Sequence, residues 1–280
     1  MTKQNKLSLA YSTCPNDTFI FEALANGGID TGGLAFDIAM ADVEQLNQAA
    51  AVGKYDITKL SVAAFTHVSK TYGMLGVGAA LGRGCGPLLV AQKGATLGSL
   101  SKKKIAVPGM WTTANLLLAL FMEERPEVAA MTFDNIMPAV QSGEYAAGVI
   151  IHEGRFTYPN YGLTCLADLG QWWESVSGLP IPLGCIAIRR ALGGETARQV
   201  SDAIRASLIH ARNHPHAAMP YIRSHARELD DEVIRQHIAL YVNDFSLDLG
   251  PEGIAAIHGL LDLARQKGVV PAIDLPVLAD

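Results

Sequence analysis

The stretch Leu7-Ser8-Leu9-Ala10-Tyr11-Ser12-Thr13-Cys14-Pro15-Asn16-Asp17-Thr18-Phe19 reads as a strand that stops and turns directly into a helix. Leu7–Tyr11 has the apolar character of a buried strand, and Phe19, Ile20, Phe21 and Leu24 supply the buried face of the segment behind it. Asn16 or Asp17 is the expected N-cap, because short polar side chains satisfy the free amides of a first helical turn. A helix that opens at the carboxyl end of a strand is where α/β proteins hold anions and small polar ligands. Ser12 and Asn16 are therefore candidate ligand contacts.

The same alternation continues outward from this corner. Leu34–Met40, Tyr55–Leu60 and Met74–Leu81 read as strands, with helices over Thr18–Ala25, Val43–Val52 and Val62–Lys70 between them. Gly53 falls where a glycine ends the second helix, and Ser61 where an N-cap begins the third. Apolar strands alternating with helices predict a mainly parallel sheet covered on both faces. Pro87-Leu88-Leu89-Val90-Ala91 is a further strand, and a second series follows it. That series has strands at Ile105–Pro108, Met131–Phe133 and Ala146–Ile151, and helices at Thr113–Glu124 and Pro138–Ser142. After the apolar run Cys185–Ile188 the pattern is almost wholly helical, over Thr196–Arg212, Ala217–His225, Asp231–Tyr241 and Pro251–Lys267.

This string predicts two α/β lobes joined by two extended crossings, with the carboxyl-terminal helices returning to the first lobe. Residues 1–90 and 188–280 form the first lobe and 91–187 the second. That is the organisation of the type II periplasmic-binding-protein fold, which holds a ligand in the cleft between its lobes. Gly82-Arg83-Gly84-Cys85-Gly86-Pro87 lacks the spacing of a nucleotide loop and reads as hinge or cleft wall.

With 280 residues, 49% of them hydrophobic and 18% charged, the chain has material for a large core. A net charge of −5, and no basic run longer than Lys102-Lys103-Lys104, argue against a nucleic-acid partner. No stretch reaches the length of a membrane span, and Met1–Lys6 leads into the first strand without an apolar signal segment, so a cytoplasmic protein is expected. Cys14, Cys85, Cys165 and Cys185 have no CxxC spacing and read as reduced thiols. His210, His214, His216 and His225 are interrupted by Pro215 and lack HExxH spacing. No GxGxxG fingerprint or GxSxG elbow occurs, so no metal and no cofactor are expected. Trp172 and Trp173 read as core or cleft lining.

Three further corners carry candidate chemistry. The apolar strand Ala146–Ile151 ends in His152-Glu153-Gly154-Arg155, placing a histidine at the crevice end of a central strand. Its ordinary pKa suits acid–base work near neutrality, and a structural histidine bonded to a carbonyl satisfies the same position. Glu153 and Arg155 can orient the imidazole or pair with each other. In the second series, Thr112 and Thr113 sit at the mouth of an Ala/Leu-rich helix, one as N-cap and both as candidate carboxylate donors. Lys59-Leu60-Ser61 is the third corner, where Lys59 fits both a counter-charge to an acidic ligand and an exposed strand end.

Three strings carry a resemblance over essentially the full length. They are Ser12–Phe19, Gly148-Val149-Ile150-Ile151-His152-Glu153-Gly154-Arg155-Phe156, and Tyr241-Val242-Asn243-Asp244-Phe245-Ser246-Leu247-Asp248-Leu249-Gly250. On these the chain resembles the 1,4-dihydroxy-6-naphthoate synthases of the futalosine route to menaquinone. The resemblance implies a binding-protein fold turned into a cytoplasmic lyase. It also implies a carboxylate-bearing substrate, cyclic dehypoxanthinyl futalosine, cleaved to 1,4-dihydroxy-6-naphthoate and dihydroxyacetone. His152 occupies the family's proton-acceptor position, and the Lys59-Leu60-Ser61 and Thr112-Thr113 corners its substrate contacts. The family's usual proline before Cys14 is Thr13 here, which leaves the cap chemistry intact. The alternatives are chorismate dehydratase, which shares the fold and is not expected to carry these strings, and a non-catalytic receptor for an aromatic acid.

Overall fold

Residues 6–226 and 230–279 are described by the computed structural model, and they form two mixed sheets joined by two crossings. The chain opens with β1 (Leu7–Tyr11), α1 (Pro15–Ala25), β2 (Phe36–Met40), α2 (Val43–Ala51), β3 (Ile57–Ser61) and α3 (Val62–Val68). Short strands β4 (Tyr72–Met74) and β5 (Ala80–Gly82) follow. The single strand expected over Met74–Leu81 is thus two, because Gly76 and Gly78 break it. Gly78 has φ +76°, and a Cβ there would stand 2.6 Å from Ile186.

The second series runs β6 (Leu88–Gln92), β7 (Ile105–Val107), α4 (Thr113–Phe121), β8 (Val128–Ala130), α5 (Phe133–Gln141), β9 (Ala147–Ile150) and α6 (Gly154–Thr157). The strand expected at Met131–Phe133 lies three residues earlier, and the helix expected from Pro138 begins at Phe133. Ile136, Met137 and Val140 give that helix one buried face, which recruits the residues ahead of the proline. Besides one-turn helices, β10 (Leu163–Asp168) and α7 (Leu169–Ser177) escaped the sequence pattern. β11 (Ile181–Arg189) contains the Cys185–Ile188 run, and α8 (Gly193–Asn213), α9 (Pro215–His225), α10 (Asp231–Tyr241), α11 (Asp244–Leu247) and α12 (Gly250–Gln266) complete the chain.

The first sheet has the order β2-β1-β3-β11-β4, with β5 also on β11. β1 is parallel to β2 and β3, while β11 is antiparallel to β3, β4 and β5. The second sheet has the order β10-β6-β9-β7-β8, parallel at β8-β7-β9 and antiparallel at β6 and β10. Both sheets are therefore mixed: each parallel βα run is closed by an antiparallel strand at a crossing. β6 lies wholly in the second sheet and β11 wholly in the first, so the chain changes sheets between Gly82 and Leu88 and again between Asp168 and Ile181.

Local signals explain most helix ends. Asp42 caps α2 through Glu44 N–H, with Gln45 reaching back to the Asp42 amide, and Gly53 at φ +63° follows its end. α1 departs from expectation: its N-cap is Cys14, not Asn16 or Asp17, and Cys14 makes no side-chain capping bond. Pro15, with its φ fixed near the helical value, starts the helix at once and leaves Asn16 and Asp17 inside the first turn. α8, α9 and α10 pack on α1, where Ser207 Oγ accepts from Leu24 N–H and donates to Ile20 C=O. A continuous core of Leu60, Phe65, Leu89, Val107, Leu117 and Trp173 runs beneath both sheets. Trp173 is buried and donates to Pro180 C=O, while Trp172 packs edge-on against Phe121.

The first crossing is pinned where it meets α7. A Cβ on Gly86 would stand 2.2 Å from Cα of Gly170, so the two backbones touch. Arg155 binds there too, donating to Gly86 C=O at 2.6 Å and to Asp168 at 2.5 Å. Of the two roles open to Glu153 and Arg155, pairing with each other is not the one Arg155 takes: it is committed to Asp168 at this junction.

Candidate active site

The carboxyl ends of β1, β3, β7 and β9 face a cleft of about 630 Å³, its mouth included. Ser12, Asn16 and Asp17 from the β1–α1 corner line it, as do Lys59 and Ser61 from the end of β3. Thr112 and Thr113 come from the α4 mouth and His152 from the end of β9, with Tyr241 of α10 and Cys85 of the crossing closing the wall. Seven of the eight residues expected from sequence meet here. Leu60 does not: alternation along β3 turns its side chain to the other face, where it is wholly buried in the core.

Lys59 is not an exposed strand end. It is 5% exposed, and its Nζ lies 2.6 Å from Oδ1 of the wholly buried Asp17. Asp17 also accepts from Ser12 N–H at 3.1 Å, Ser12 Oγ at 2.6 Å and Asn16 Nδ2 at 2.9 Å. The cleft floor is thus a satisfied ionic network, as a buried charge pair requires. Sequence reading assigned Asp17 to helix capping and missed this role; a lysine pointing into a cleft needs a carboxylate, and that is the signal it overlooked.

At the opposite wall, Thr112 is the N-cap of α4: Oγ1 accepts from Asn115 N–H and donates to Gly109 C=O. Thr113 Oγ1 donates to Leu183 C=O at 2.7 Å and accepts from Ala63 N–H at 3.2 Å, tying α4 to β11 and α3. First-turn amides of a helix have no intrahelical acceptor, so this mouth retains donors for an anion. Ser61 occupies the N-cap position of α3 without capping; its hydroxyl accepts from Asn47 Nδ2 instead.

His152 sits in the left-handed region at φ +55°, which a non-glycine residue adopts only when its surroundings enforce it. Its half-buried ring is packed between the edge-on ring of Phe133, the stacked ring of His237 at 6.0 Å and the Cys14 thiol. Burial lowers its proton affinity below that of ordinary imidazole, and nearby Lys59 adds to this; the charges of Glu153, Asp42 and Asp17 oppose the shift. The net shift favours the neutral ring. Cys14 is shifted the other way, its thiol pushed well above its usual range mainly by burial and by the Glu153 and Asp17 charges, which keeps it from acting as a thiolate.

His237 was not singled out from sequence. It is wholly buried on α10, with Nε2 3.0 Å from Oδ1 of Asn16 and Nδ1 3.9 Å from Oε2 of Glu153. Burial, with His152 and Lys59 beside it, holds its pKa well below the ordinary imidazole value.

A cleft between two mixed sheets, with ligand-ready corners at the strand ends, defines the periplasmic-binding-protein class. The alkanesulfonate-binding protein of Xanthomonas axonopodis pv. citri shares this fold at a TM-score of 0.73 and 13% identity, over 98% of this chain and 96% of its own. A crystal structure of an Archaeoglobus fulgidus protein is much nearer, with a TM-score of 0.90 and 38% identity over 96% of this chain and all of its own. Two curated relatives, both named 1,4-dihydroxy-6-naphthoate synthase, are 46% identical: one from Streptomyces coelicolor over 98% of each chain, the other from Thermus thermophilus over 97% of this chain and 98% of its own. The model of the menaquinone biosynthesis family matches residues 7–266, and the chain belongs to that family.

Proposed function

We propose that this chain is a 1,4-dihydroxy-6-naphthoate synthase: a carbon–carbon lyase that converts cyclic dehypoxanthinyl futalosine to 1,4-dihydroxy-6-naphthoate and dihydroxyacetone. The observation that carries the reading is His152, which lines the cleft at the end of β9, on the same second-sheet wall as the α4 mouth, with burial favouring its neutral form. The substrate carboxylate docks at Thr112 and Thr113, where helix amides and the helix dipole favour negative charge. Lys59 and Ser61 hold the polar part of the substrate from the first-sheet side, with Ser12 and Asn16 shaping the floor.

His152 then removes a proton from the bound substrate and becomes an imidazolium next to the charges of Glu153, Asp42 and Asp17, which favour that form. Cleavage follows as the new ring becomes aromatic. The cleft walls exclude water around the base and hold the acidic carbon against it. We divide the lobes at the two crossings, place the enzyme in the cytoplasm, and assign it neither a nucleic-acid nor a membrane partner; among the described residues no helix is long and apolar enough to cross a membrane.

Incubating the purified protein with cyclic dehypoxanthinyl futalosine and following dihydroxynaphthoate absorbance tests the reading. Product formation that depends on His152 is the expected result. Tight binding without product is the receptor's signature and overturns the lyase reading.

A further inference from the structure

The two sides of the cleft are tied to each other by a chain of hydrogen bonds that the chemistry above does not use. Glu44 sits in the first turn of α2, beside the first sheet, and Trp111 lies in the loop between β7 and α4, one residue before Thr112. The Trp111 N–H donates to both carboxylate oxygens of Glu44, at 3.3 and 3.2 Å. Asn47, wholly buried, donates through Nδ2 to Glu44 Oε2 and to Ser61 Oγ, each at 3.1 Å, while its Oδ1 accepts from Ser61 N–H at 2.9 Å. Gln48 Nε2 holds the other Glu44 oxygen at 3.0 Å. Glu44 therefore links Ser61, on the first-sheet side, to the loop that delivers Thr112 and Thr113 from the second.

Other polar groups of that loop stay on their own side: Gly109 C=O accepts from Thr112 Oγ1, and Met110 C=O from Asn115 Nδ2. The Trp111 N–H crosses instead, and the fit there is close. A Cβ on Gly109 would stand 2.5 Å from Glu44 Oε2, so the carboxylate lies against bare backbone. His67 of α3 adds a second hold on the same residue, its ring stacked on the Trp111 indole at 4.4 Å and 9°. Thr113 is anchored separately, behind the mouth, to Leu183 C=O and Ala63 N–H.

We propose that Glu44 is a positioning residue for the substrate clamp: its carboxylate holds the β7–α4 loop against α2 and so sets the spacing between Ser61 and the Thr112–Thr113 mouth. The proposal rests on the substrate spanning those two corners, as in the function proposed above. An ionised acceptor gives a backbone N–H a stronger bond than a neutral oxygen does. Without it the loop spends part of its time away from α2, and a ligand must draw it back. Affinity then falls with the fraction of molecules that hold the loop in place. The assembled complex keeps the same contacts around His152, so the chemical step is spared.

The test compares Glu44→Ala and Glu44→Gln with the wild-type chain. Glu44→Ala should raise KM for cyclic dehypoxanthinyl futalosine and Kd for 1,4-dihydroxy-6-naphthoate, each by roughly tenfold, while kcat changes by less than about threefold. Glu44→Gln keeps an oxygen for the Trp111 N–H and should recover most of the loss. A Glu44 that only stabilises the fold would lower the melting temperature and leave KM and Kd where they were. That result, or a loss confined to kcat, overturns the proposal. In chain labelled with 5-fluorotryptophan, the Trp111 fluorine resonance, assigned by Trp111→Phe, should move in Glu44→Ala and return toward its wild-type position in Glu44→Gln; an unmoved resonance also overturns the proposal. This readout needs no ligand. A resonance that moves as expected in a protein inert toward the futalosine derivative sinks the lyase reading and leaves the positioning role standing; turnover with unmoved KM and resonance does the reverse.

Discussion

Cys14 Sγ lies 3.4 Å from Nδ1 and 3.6 Å from Nε2 of His152. A directed hydrogen bond to one imidazole nitrogen leaves the other much farther away, so near-equal distances put the sulfur off the lone-pair axis of both. The thiol packs against the base without claiming either nitrogen. Cys14→Ala should therefore cost less than about tenfold in kcat/KM, around 1.4 kcal/mol of transition-state stabilisation. A loss of several orders of magnitude, measured by the naphthoate absorbance assay, would show that the sulfur takes part in the chemistry.

His152→Ala should lower kcat by roughly 10²- to 10⁴-fold, the usual worth of a positioned general base. Binding of 1,4-dihydroxy-6-naphthoate, followed by calorimetry, should persist, because the α4 mouth and the Lys59 network are untouched. Unchanged turnover removes His152 from the proposed role.

Breaking the buried Lys59–Asp17 pair should be costly in either direction. Asp17→Asn strands a buried ammonium and Lys59→Met a buried carboxylate, each at about 3–5 kcal/mol. The double replacement Asp17→Asn with Lys59→Met should recover part of that loss, and urea unfolding midpoints measure the difference. Additive losses would mean that the two side chains do not depend on each other.

The buried histidines also set a direction for stability against pH. His237 and His152 bind protons less readily in the folded chain than ordinary imidazole does, so below about pH 6.5 the unfolded chain takes up more protons. Stability contributed by their neutral forms is complete above that pH and declines as pH falls through it. The wholly buried His237 contributes up to about 1.4 kcal/mol per pH unit in that range. Chemical denaturation at pH 7.5 and pH 5.5 should show the decline, and His237→Gln should flatten it. An equal slope in that variant contradicts the assignment.

Much of this site was legible because it is local. A strand running into a helix places Ser12 and Asn16, β9 ends on His152, and Thr112 caps α4, each within a few residues of its own signal. What escaped was set by distant chain. His237 meets Asn16 across 221 positions, and nothing around Asp231–Tyr241 distinguishes it from a core residue of an amphipathic helix. The Asp17–Lys59 pair joins two corners that sequence treats separately, so Asp17 read as a cap and Lys59 as a possible strand end. β10 was missed for another reason: Leu163–Asp168 is only half-buried, and its sequence shows neither a continuous apolar run nor a period-2 alternation.

The touching backbones of Gly86 and Gly170 restrict how this chain can vary over generations. Neither glycine lines the cleft, binds a ligand or carries a charge. Yet any side chain at either position must push α7 off the crossing, and with it the Asp168–Arg155 pair that steadies the segment after His152. Two positions without chemistry of their own are thereby closed to mutational drift, and lineages can explore new substrates only by changing the residues around them.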